Sequence, residues 1–107
     1  MSKDKYIEAV GRRKTSVARV RLIPAAKTTL FVNDTELEKY FPTEELRRTV
    51  SSVFNDTESK FAVTAKLSGG GISSQAQALR HGLARALAKG EPELRGKLKA
   101  RGFLKRD

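Results

Sequence analysis

Two stretches of the 107-residue sequence combine residue types that bind phosphate groups. The first is the basic triplet Arg12, Arg13 and Lys14, followed by Arg19 and Arg21 two residues apart. Each phosphate that a basic side chain neutralises adds about 0.9 to the slope of log affinity against log salt on duplex nucleic acid. Five such charges within one hairpin predict a cationic edge that binds a polyanion. The alternative is a solvated positive surface with no partner.

The second stretch is the glycine triplet Gly69, Gly70 and Gly71, which stands between a predicted strand and a predicted helix. Glycine permits positive φ and the close approach of another backbone or of a phosphate. The first N–H groups of the helix, together with the amide of Gln75, are potential phosphate donors. The pattern is open to three interpretations: an RNA backbone site, a nucleotide-phosphate site of a kinase, or a tight turn.

These residues give little support for a catalytic function. The loop lacks the Lys-Ser/Thr end of a P-loop, and Glu58 is the one acidic residue between positions 57 and 90. A magnesium-nucleotide site is therefore not favoured. The chain has no Cys and one His, His81, which excludes thiolate and multi-His metal sites. We expect no catalytic residue, no metal, no cofactor and no small-molecule substrate.

The charge distribution indicates where a polyanion would bind. The formal net charge is +10, and it divides into +5 for residues 1–24, +1 for residues 25–88 and +4 for residues 89–107. Every apolar run is shorter than the ~18 residues that a membrane span needs, and no hydrophobic signal core follows Met1. We expect a cytoplasmic protein with basic ends and no membrane partner.

Hydrophobic periodicity predicts the elements that position these residues. Alternation of apolar and polar residues predicts strands over residues 6–10, 15–23, 28–32 and 61–67. Helices are expected to begin at Thr35, Thr43, Ile72 and Pro92. The first of these rests on a capping box, because Glu38 follows Thr35 by three residues. This order predicts one α+β domain over residues 1–107, with helices on one face of a single sheet.

The helix from Ile72 is expected to bury a stripe that includes Ile72, Ala76 and Leu79, while His81 and Arg85 lie opposite and face solvent or RNA. A basic extension covers about 89–107. Its charges spread over more than one helix face, which indicates an arm that docks on nucleic acid rather than on a membrane. The expected contacts there are Lys97, Lys99, Arg101, Lys105 and Arg106.

Three motifs, taken together and in this order, resemble one protein family. They are the segments 11–20 (GRRKTSVARV), 40–42 (YFP) and 69–87 (GGGISSQAQALRHGLARAL). They resemble the S-nine family of bacterial small-subunit ribosomal proteins over nearly the whole chain. The resemblance implies a structural, non-enzymatic protein of the small-subunit head. Such a protein binds 16S ribosomal RNA and neighbouring head proteins and supports translation near the peptidyl-tRNA site.

The resemblance also implies a fold and a set of RNA contacts. The fold is the ribosomal S-five domain-two-like α+β unit, with a four-stranded sheet and a left-handed β-α-β crossover, which departs from the usual right-handed rule. Carried over position by position, the resemblance suggests RNA contacts by Arg12, Arg13, Lys14, Ser16, Arg19, Arg21, Gly69, Gly70, Gly71, Gln75, Arg80, His81 and Arg85.

Two features depart from the family pattern. Family members usually turn after the second strand with Pro-Gly-x-Gly, whereas this chain has Pro24-Ala25-Ala26-Lys27, so we expect a local difference in that turn. The usual long basic tail, which reaches the peptidyl-site transfer RNA, does not follow Asp107 in this sequence. A transfer-RNA contact is therefore expected only if such a tail exists.

Two other functions stay open on the sequence. A free-standing architectural nucleic-acid-binding protein would bind arbitrary duplexes with comparable affinity. A phosphate-transferring enzyme that uses the glycine loop would bind ATP and turn over with magnesium.

Overall fold

Five strands form one mixed sheet in the computed structural model, which describes residues 6–105. The strands are β1 (Ile7–Arg13), β2 (Ser16–Pro24), β3 (Thr29–Val32), β4 (Thr35–Glu36) and β5 (Phe61–Ser68). Their spatial order is β1-β2-β5-β3-β4, and only the β3–β5 pair is parallel. The helices are α1 (Leu37–Tyr40), α2 (Glu44–Ser51), α3 (Ile72–Gly90) and α4 (Arg95–Ala100), with 3₁₀ turns at Ser52–Asp56 and Pro92–Leu94.

Strands β2 and β5 alternate strictly between buried and exposed residues, as their sequences predict. In β2, Ala18, Val20 and Leu22 are buried against the helices, whereas Arg19 and Arg21 lie on the uncovered side. The predicted α+β class and the single sheet with helices on one face are confirmed, with five strands where four were expected.

The additional strand comes from a tight hairpin that the sequence analysis did not predict. Asn33 and Asp34 both have positive φ, 50° and 67°, and they turn β3 back onto β4. The predicted helix start at Thr35 is wrong because Thr35 pairs with Val32, and α1 begins at Leu37 without a side-chain cap. The second predicted start is confirmed, since the Thr43 hydroxyl accepts a hydrogen bond from the Leu46 N–H at 3.3 Å.

The parallel β3–β5 pair needs a crossover connection, because a hairpin can join only antiparallel strands. Helices α1 and α2 lie in that connection, which returns the chain to the sheet at Phe61. The β-α-β unit that the resemblance implies is therefore present at this place. Its left hand stays a prediction.

Helix α3 packs across β1 and β2 and is buried on most of its circumference. The close approach depends on Gly11, where an added Cβ would lie 2.1 Å from the Ala78 carbonyl oxygen and 2.2 Å from the Gly82 nitrogen. The predicted end of β1 at Gly11 is wrong, because this glycine lets the strand continue under the helix to Arg13. The predicted stripe is confirmed at Ala76 and Leu79, but Ile72 at the first turn is 43% exposed.

Residues 92–104 pack against the domain instead of extending from it as an arm. Leu94 and Leu98 are buried, and Phe103 and Leu104 contact the core from partly exposed positions. Gly102, with φ 80°, terminates helix α4 as predicted. The apolar spacing that predicted a short helix thus also anchors it to the domain.

Candidate nucleic-acid interface

The face of the sheet that the helices leave uncovered, which we call the open face, carries charges of both signs. Arg19 and Arg21 of β2 stand beside Lys66 of β5, as the strand register requires. The Arg21 guanidinium donates two hydrogen bonds to the Glu8 carboxylate, at 2.6 and 3.1 Å, and it lies 4.3 Å from the centre of the Tyr6 ring. The hydrogen bond from Arg21 holds the pKa of Glu8 below its ordinary value.

The other cations of the open face are also close to acidic groups. The Lys66 ammonium lies 3.6 Å from a carboxylate oxygen of Asp34. The shallow hollow of about 660 Å³ on this face is lined by both carboxylates, Glu8 and Asp34, as well as by Arg19 and Phe31. The predicted cationic face of β2 is confirmed, but carboxylates from the neighbouring strands compensate part of its charge.

A second hollow, which we call the cationic cleft, lies where three distant segments meet. It measures about 360 Å³ and is lined by the end of β1, the middle of α3 and the turn after α4. Its basic side chains are Arg12, Arg13, Arg80 and Lys105. Among the described residues that line it, none is acidic. The described lining of the cleft is therefore more uniformly basic than that of the open face.

Arg80 and Arg13 are partly buried, whereas Arg12 and Lys105 are exposed. Burial lowers the pKa of Arg80, and the positive charge of Arg13 lowers it further. The Arg80 guanidinium lies 4.9 Å from the centre of the Phe103 ring, and that of Arg101 lies 5.9 Å from the same ring. These cation–π contacts fix the cleft wall that the C-terminal turn supplies.

Three side chains of α3 form hydrogen bonds with backbone groups at the outer edge of β1. The Arg12 N–H donates to Nδ1 of His81 at 3.1 Å, the Arg85 guanidinium donates to the Val10 carbonyl at 2.7 Å, and the Lys89 ammonium donates to the Glu8 carbonyl at 2.8 Å. The spacing of four residues on α3 matches two residues on β1, about 6 Å against about 6.6 Å, because a helix rises 1.5 Å and a strand about 3.3 Å per residue.

The contacts at the β1 edge correct the expectation for His81. His81 was expected to face solvent or RNA, but it is only 8% exposed. Its place opposite the apolar stripe puts it against the β1 edge, where a buried imidazole accepts the backbone N–H. Arg85 keeps an exposed side chain. The regular spacing of His81, Arg85 and Lys89 is the sequence signal that identifies this role.

The glycine loop is shaped by the β1–β2 hairpin. Gly69 and Gly70 have φ values of 77° and 64°, and an added Cβ would lie 2.3 Å from the Thr15 carbonyl oxygen and 2.1 Å from the Ser16 hydroxyl, respectively. Gly71, by contrast, has open space around its Cα. The glycines thus permit close backbone packing at two positions and leave the third accessible.

Polar side chains fix the glycine loop through hydrogen bonds to its backbone. The Ser16 hydroxyl and the Gln75 amide both donate to the Gly69 carbonyl, at 2.9 and 3.0 Å. Tyr40 donates to the Gln75 amide oxygen at 2.6 Å, and Asn33 links that tyrosine to the backbone of Leu67. Ser16 is fully buried, so its hydroxyl fixes the loop and does not reach a ligand.

The sequence-predicted residues therefore separate into groups. Arg19 and Arg21 lie on the open face, Arg13 and Arg80 line the cationic cleft, and Arg12 at the exposed edge of β1 lines the cleft too. Lys14 is exposed in the β1–β2 turn with φ 56°, and Lys97, Lys99 and Arg101 are exposed on and just after α4. Arg106 lies outside the described residues. Gln77 and Phe103, which line the cleft, were not predicted because their types carry no charge signal.

The site offers no arrangement for metal chemistry within residues 6–105, where no three His, Cys, Asp or Glu side chains group together. No helix in this range has the length and apolar character that crossing a bilayer requires. The arrangement instead suits the contact of several phosphates by Arg and Lys side chains on two sides of one small domain.

A family model described as ribosomal protein S9/S16 matches residues 11–107, which include the cationic cleft, most of the open face, the glycine loop and all four helices.

Proposed function

The chain belongs to the ribosomal protein S9/S16 family, and from that membership we propose that it is the S9-type protein of a bacterial small ribosomal subunit. Proteins of this family are structural components of the ribosome that bind ribosomal RNA and are not enzymes. We assign this chain to the head of the small subunit in cytoplasmic ribosomes, where it contacts 16S ribosomal RNA and neighbouring head proteins. There it supports translation near the peptidyl-tRNA site. The family match over residues 11–107 carries the proposal.

The two charged surfaces support a role as a bridge between RNA segments. The open face and the cationic cleft share no lining residue, and basic side chains line both. RNA segments pressed together repel through their phosphates, and a rigid domain with cations on two sides offsets that repulsion. We propose that residues 1–107 act as one such domain, with the basic stretch 89–107 contributing part of the contact.

The structure suggests how the proposed RNA contacts divide between direct and supporting residues. The exposed or cleft-lining cations are assigned to direct contact. This group comprises Arg12, Arg13, Lys14, Arg19, Arg21, Arg80, Arg85, Lys97, Lys99, Arg101 and Lys105. Ser16 and Gln75 act indirectly by holding the glycine loop, in which Gly71 stays accessible. His81 acts indirectly by holding the edge of β1.

Sedimentation of a native lysate tests the assignment to the small subunit. Fractions of a sucrose gradient, run at magnesium concentrations that keep subunits assembled, are analysed by intact-protein mass spectrometry. We expect this chain in one-to-one ratio with the small subunit. A chain that stays at the top of the gradient, or spreads over all nucleic acid, would instead support the architectural nucleic-acid binder. Protein–protein crosslinks within the subunit fraction then identify the neighbours and test the position in the head.

A further inference from the structure

The two edges of the sheet differ in how much of their backbone is covered. At the β1 edge, side chains of α3 form hydrogen bonds with the strand backbone. The opposite edge is β4, a strand of two residues that pairs with β3 only at Phe31 and Val32. No other strand among the described residues pairs with the outer side of β3. The β4 edge is therefore open to a further contact.

Acidic residues concentrate along this edge, although the chain as a whole is strongly basic. Residues 34–45 hold five acidic side chains and one basic side chain, a net charge of −4, which leaves +14 for the rest of a chain whose total is +10. Asp34, Glu36 and Glu38 lie on or directly beside β4, and all three are exposed. We call these three residues the acidic edge. Among the described residues, only Asp34 of the three pairs with a cation, the Lys66 ammonium at 3.6 Å.

The acidic edge is poorly suited to RNA. Strand β4 lies three strand spacings from β2, about 14 Å, whereas physiological salt screens exposed charges over about 8 Å. Arg19 and Arg21 of β2 therefore do little to offset the negative charge of the acidic edge, which repels phosphate groups. A protein segment rich in Lys and Arg has the complementary charge.

An exposed aromatic side chain adjoins these carboxylates. Phe31 of β3 is 42% exposed, and it pairs with Glu36 across the β3–β4 ladder, so both side chains lie on the same face of the sheet. Asp34 and Phe31 line the same hollow of the open face. Aromatic rings are enriched at protein interfaces, where they supply a large apolar contact. The exposed ring, the carboxylates beside it and the unpaired strand edge together favour a protein ligand.

We propose that Phe31 and the acidic edge bind a Lys- and Arg-rich segment of a neighbouring ribosomal protein. An apolar side chain of that segment packs on Phe31, and its basic side chains lie beside Glu36 and Glu38. The proposal rests on the proposed function for the particle that contains the neighbour, but not for the charge and apolar character that select it. The domain thus faces RNA with its cations and a protein with this edge.

Carbodiimide crosslinking in purified small subunits tests the contact, because this reagent forms an amide between a carboxylate and an adjacent Lys amine. We expect mass spectrometry to identify amides from Glu36 or Glu38 to lysines in one basic segment of another protein. Subunits that carry Phe31→Ser should give a lower yield of these amides. Two matched controls should leave the yield unchanged: Glu93→Gln removes an exposed charge near α4, and Ile72→Ser removes an exposed apolar side chain of α3.

A synthetic peptide of the crosslinked segment, titrated against the full chain, measures the contribution of each residue. Phe31→Ser should weaken binding about tenfold or more, as expected for an aromatic residue at the centre of an interface. Glu36→Gln and Glu38→Gln should each weaken it about threefold, as for exposed ion pairs, and this effect should disappear at about 1 M salt. These two exposed positions keep the test decisive if Phe31→Ser does not fold.

Each outcome has a definite meaning. Subunits that contain this chain but give no amide from Glu36 or Glu38 to another protein would overturn the proposal and leave the proposed function intact. Amides between two copies of this chain, or ultraviolet crosslinks from Phe31 to RNA, would assign the edge to another occupant and also overturn it. Peptide binding that none of the three substitutions weakens would overturn it too. The same amides in a particle other than the small subunit would keep the docking surface and refute the proposed function.

Discussion

The open face and the cationic cleft are built from the same residue types, yet they differ in how their charge is balanced. On the open face, Arg21 is bound to Glu8 and Lys66 lies beside Asp34, so a phosphate has to compete with carboxylates. The described residues that line the cleft, by contrast, include four Arg and Lys side chains and no acidic one. The number of basic residues on a surface therefore does not measure its capacity to bind RNA.

The two surfaces also differ in what holds them together. The open face lies on neighbouring strands, and its Glu8–Arg21 pair follows directly from the β1–β2 register. The cleft depends on the packing of β1 against α3, at Gly11 and Gly82, and on the docking of residues 102–105. The cleft therefore forms only when β1 packs against α3, whereas the Glu8–Arg21 pair needs only the pairing of β1 with β2.

The largest effect is expected from a substitution that disrupts the packing of β1 against α3. In Gly11→Ala the new Cβ would stand 2.1 Å from the Ala78 carbonyl oxygen, so β1 and α3 have to separate. We expect a loss of about 3 kcal/mol of unfolding free energy or more, at the upper end of overpacking costs. Chemical denaturation measures it. Gly71→Ala is the control, because its Cβ meets nothing within 4 Å and its φ is −91°. Comparable losses in the two variants would contradict the role of the close approach.

The second-largest effect is expected when an acidic side chain is introduced into the cleft. Gln77 lines the cleft and precedes Arg80 by three residues on α3, so Gln77→Glu introduces a carboxylate where none is described. The affinity for small-subunit ribosomal RNA should fall by about 1.5–3 kcal/mol, or tenfold and more, as expected when a charged hydrogen bond to phosphate is lost. The melting temperature of the free protein should rise slightly, because the new carboxylate lies three residues from Arg80 on the same helix.

Two controls sharpen that experiment. Gln77→Met keeps the side-chain size without the charge and should leave RNA affinity almost unchanged. Thr64→Glu adds the same charge to the open face opposite Arg21, where carboxylates are already present, and should cost less affinity than Gln77→Glu. Equal losses from the two glutamates would show that total charge, and not its placement, governs binding.

The sequence predicted the class of surface better than its geometry. Alternation in β2 placed Arg19 and Arg21 together on one uncovered side because strand periodicity is a local property. The cleft could not be predicted in this way, since Arg13, Gln77 and Lys105 meet only through the tertiary fold. Gln77 and Phe103 have no charge that would mark them as part of a binding site.

The errors in the prediction have equally specific causes. The helix expected from Thr35 yields to a hairpin because Asn33 and Asp34 adopt positive φ, which no capping pattern reveals. His81 was placed toward solvent because helical periodicity identifies only one buried face. Helix α3 is buried on most sides, and its second contact is the edge of β1.

A smaller effect is expected when the open face loses a counter-charge. Glu8→Gln releases Arg21 from its carboxylate partner, so this face becomes more similar to the cleft. RNA affinity should rise only a few-fold, because solvent screens an exposed ion pair and leaves it a small contribution. Stability should stay almost unchanged, as for most surface substitutions. Glu93→Gln, which removes a charge from an exposed position near α4, controls for net charge. A decrease in affinity for Glu8→Gln would contradict the compensation of the open face.

The smallest effect is the titration of Glu8 itself, which tests the compensation without RNA. The hydrogen bond from Arg21 lowers the pKa of Glu8, so the interaction is fully present above the ordinary pKa of a Glu and is lost as pH falls through the lowered value. In Arg21→Met, the carboxyl carbon of Glu8, followed by NMR, should titrate at higher pH than in the unmodified chain. Arg48→Met should leave its midpoint unchanged. An unchanged midpoint in Arg21→Met would mean that the pair does not persist in solution. The difference between the two surfaces would then rest on the partial burial of Arg80 and on the Lys66–Asp34 pair, and not on the pairing of Arg21.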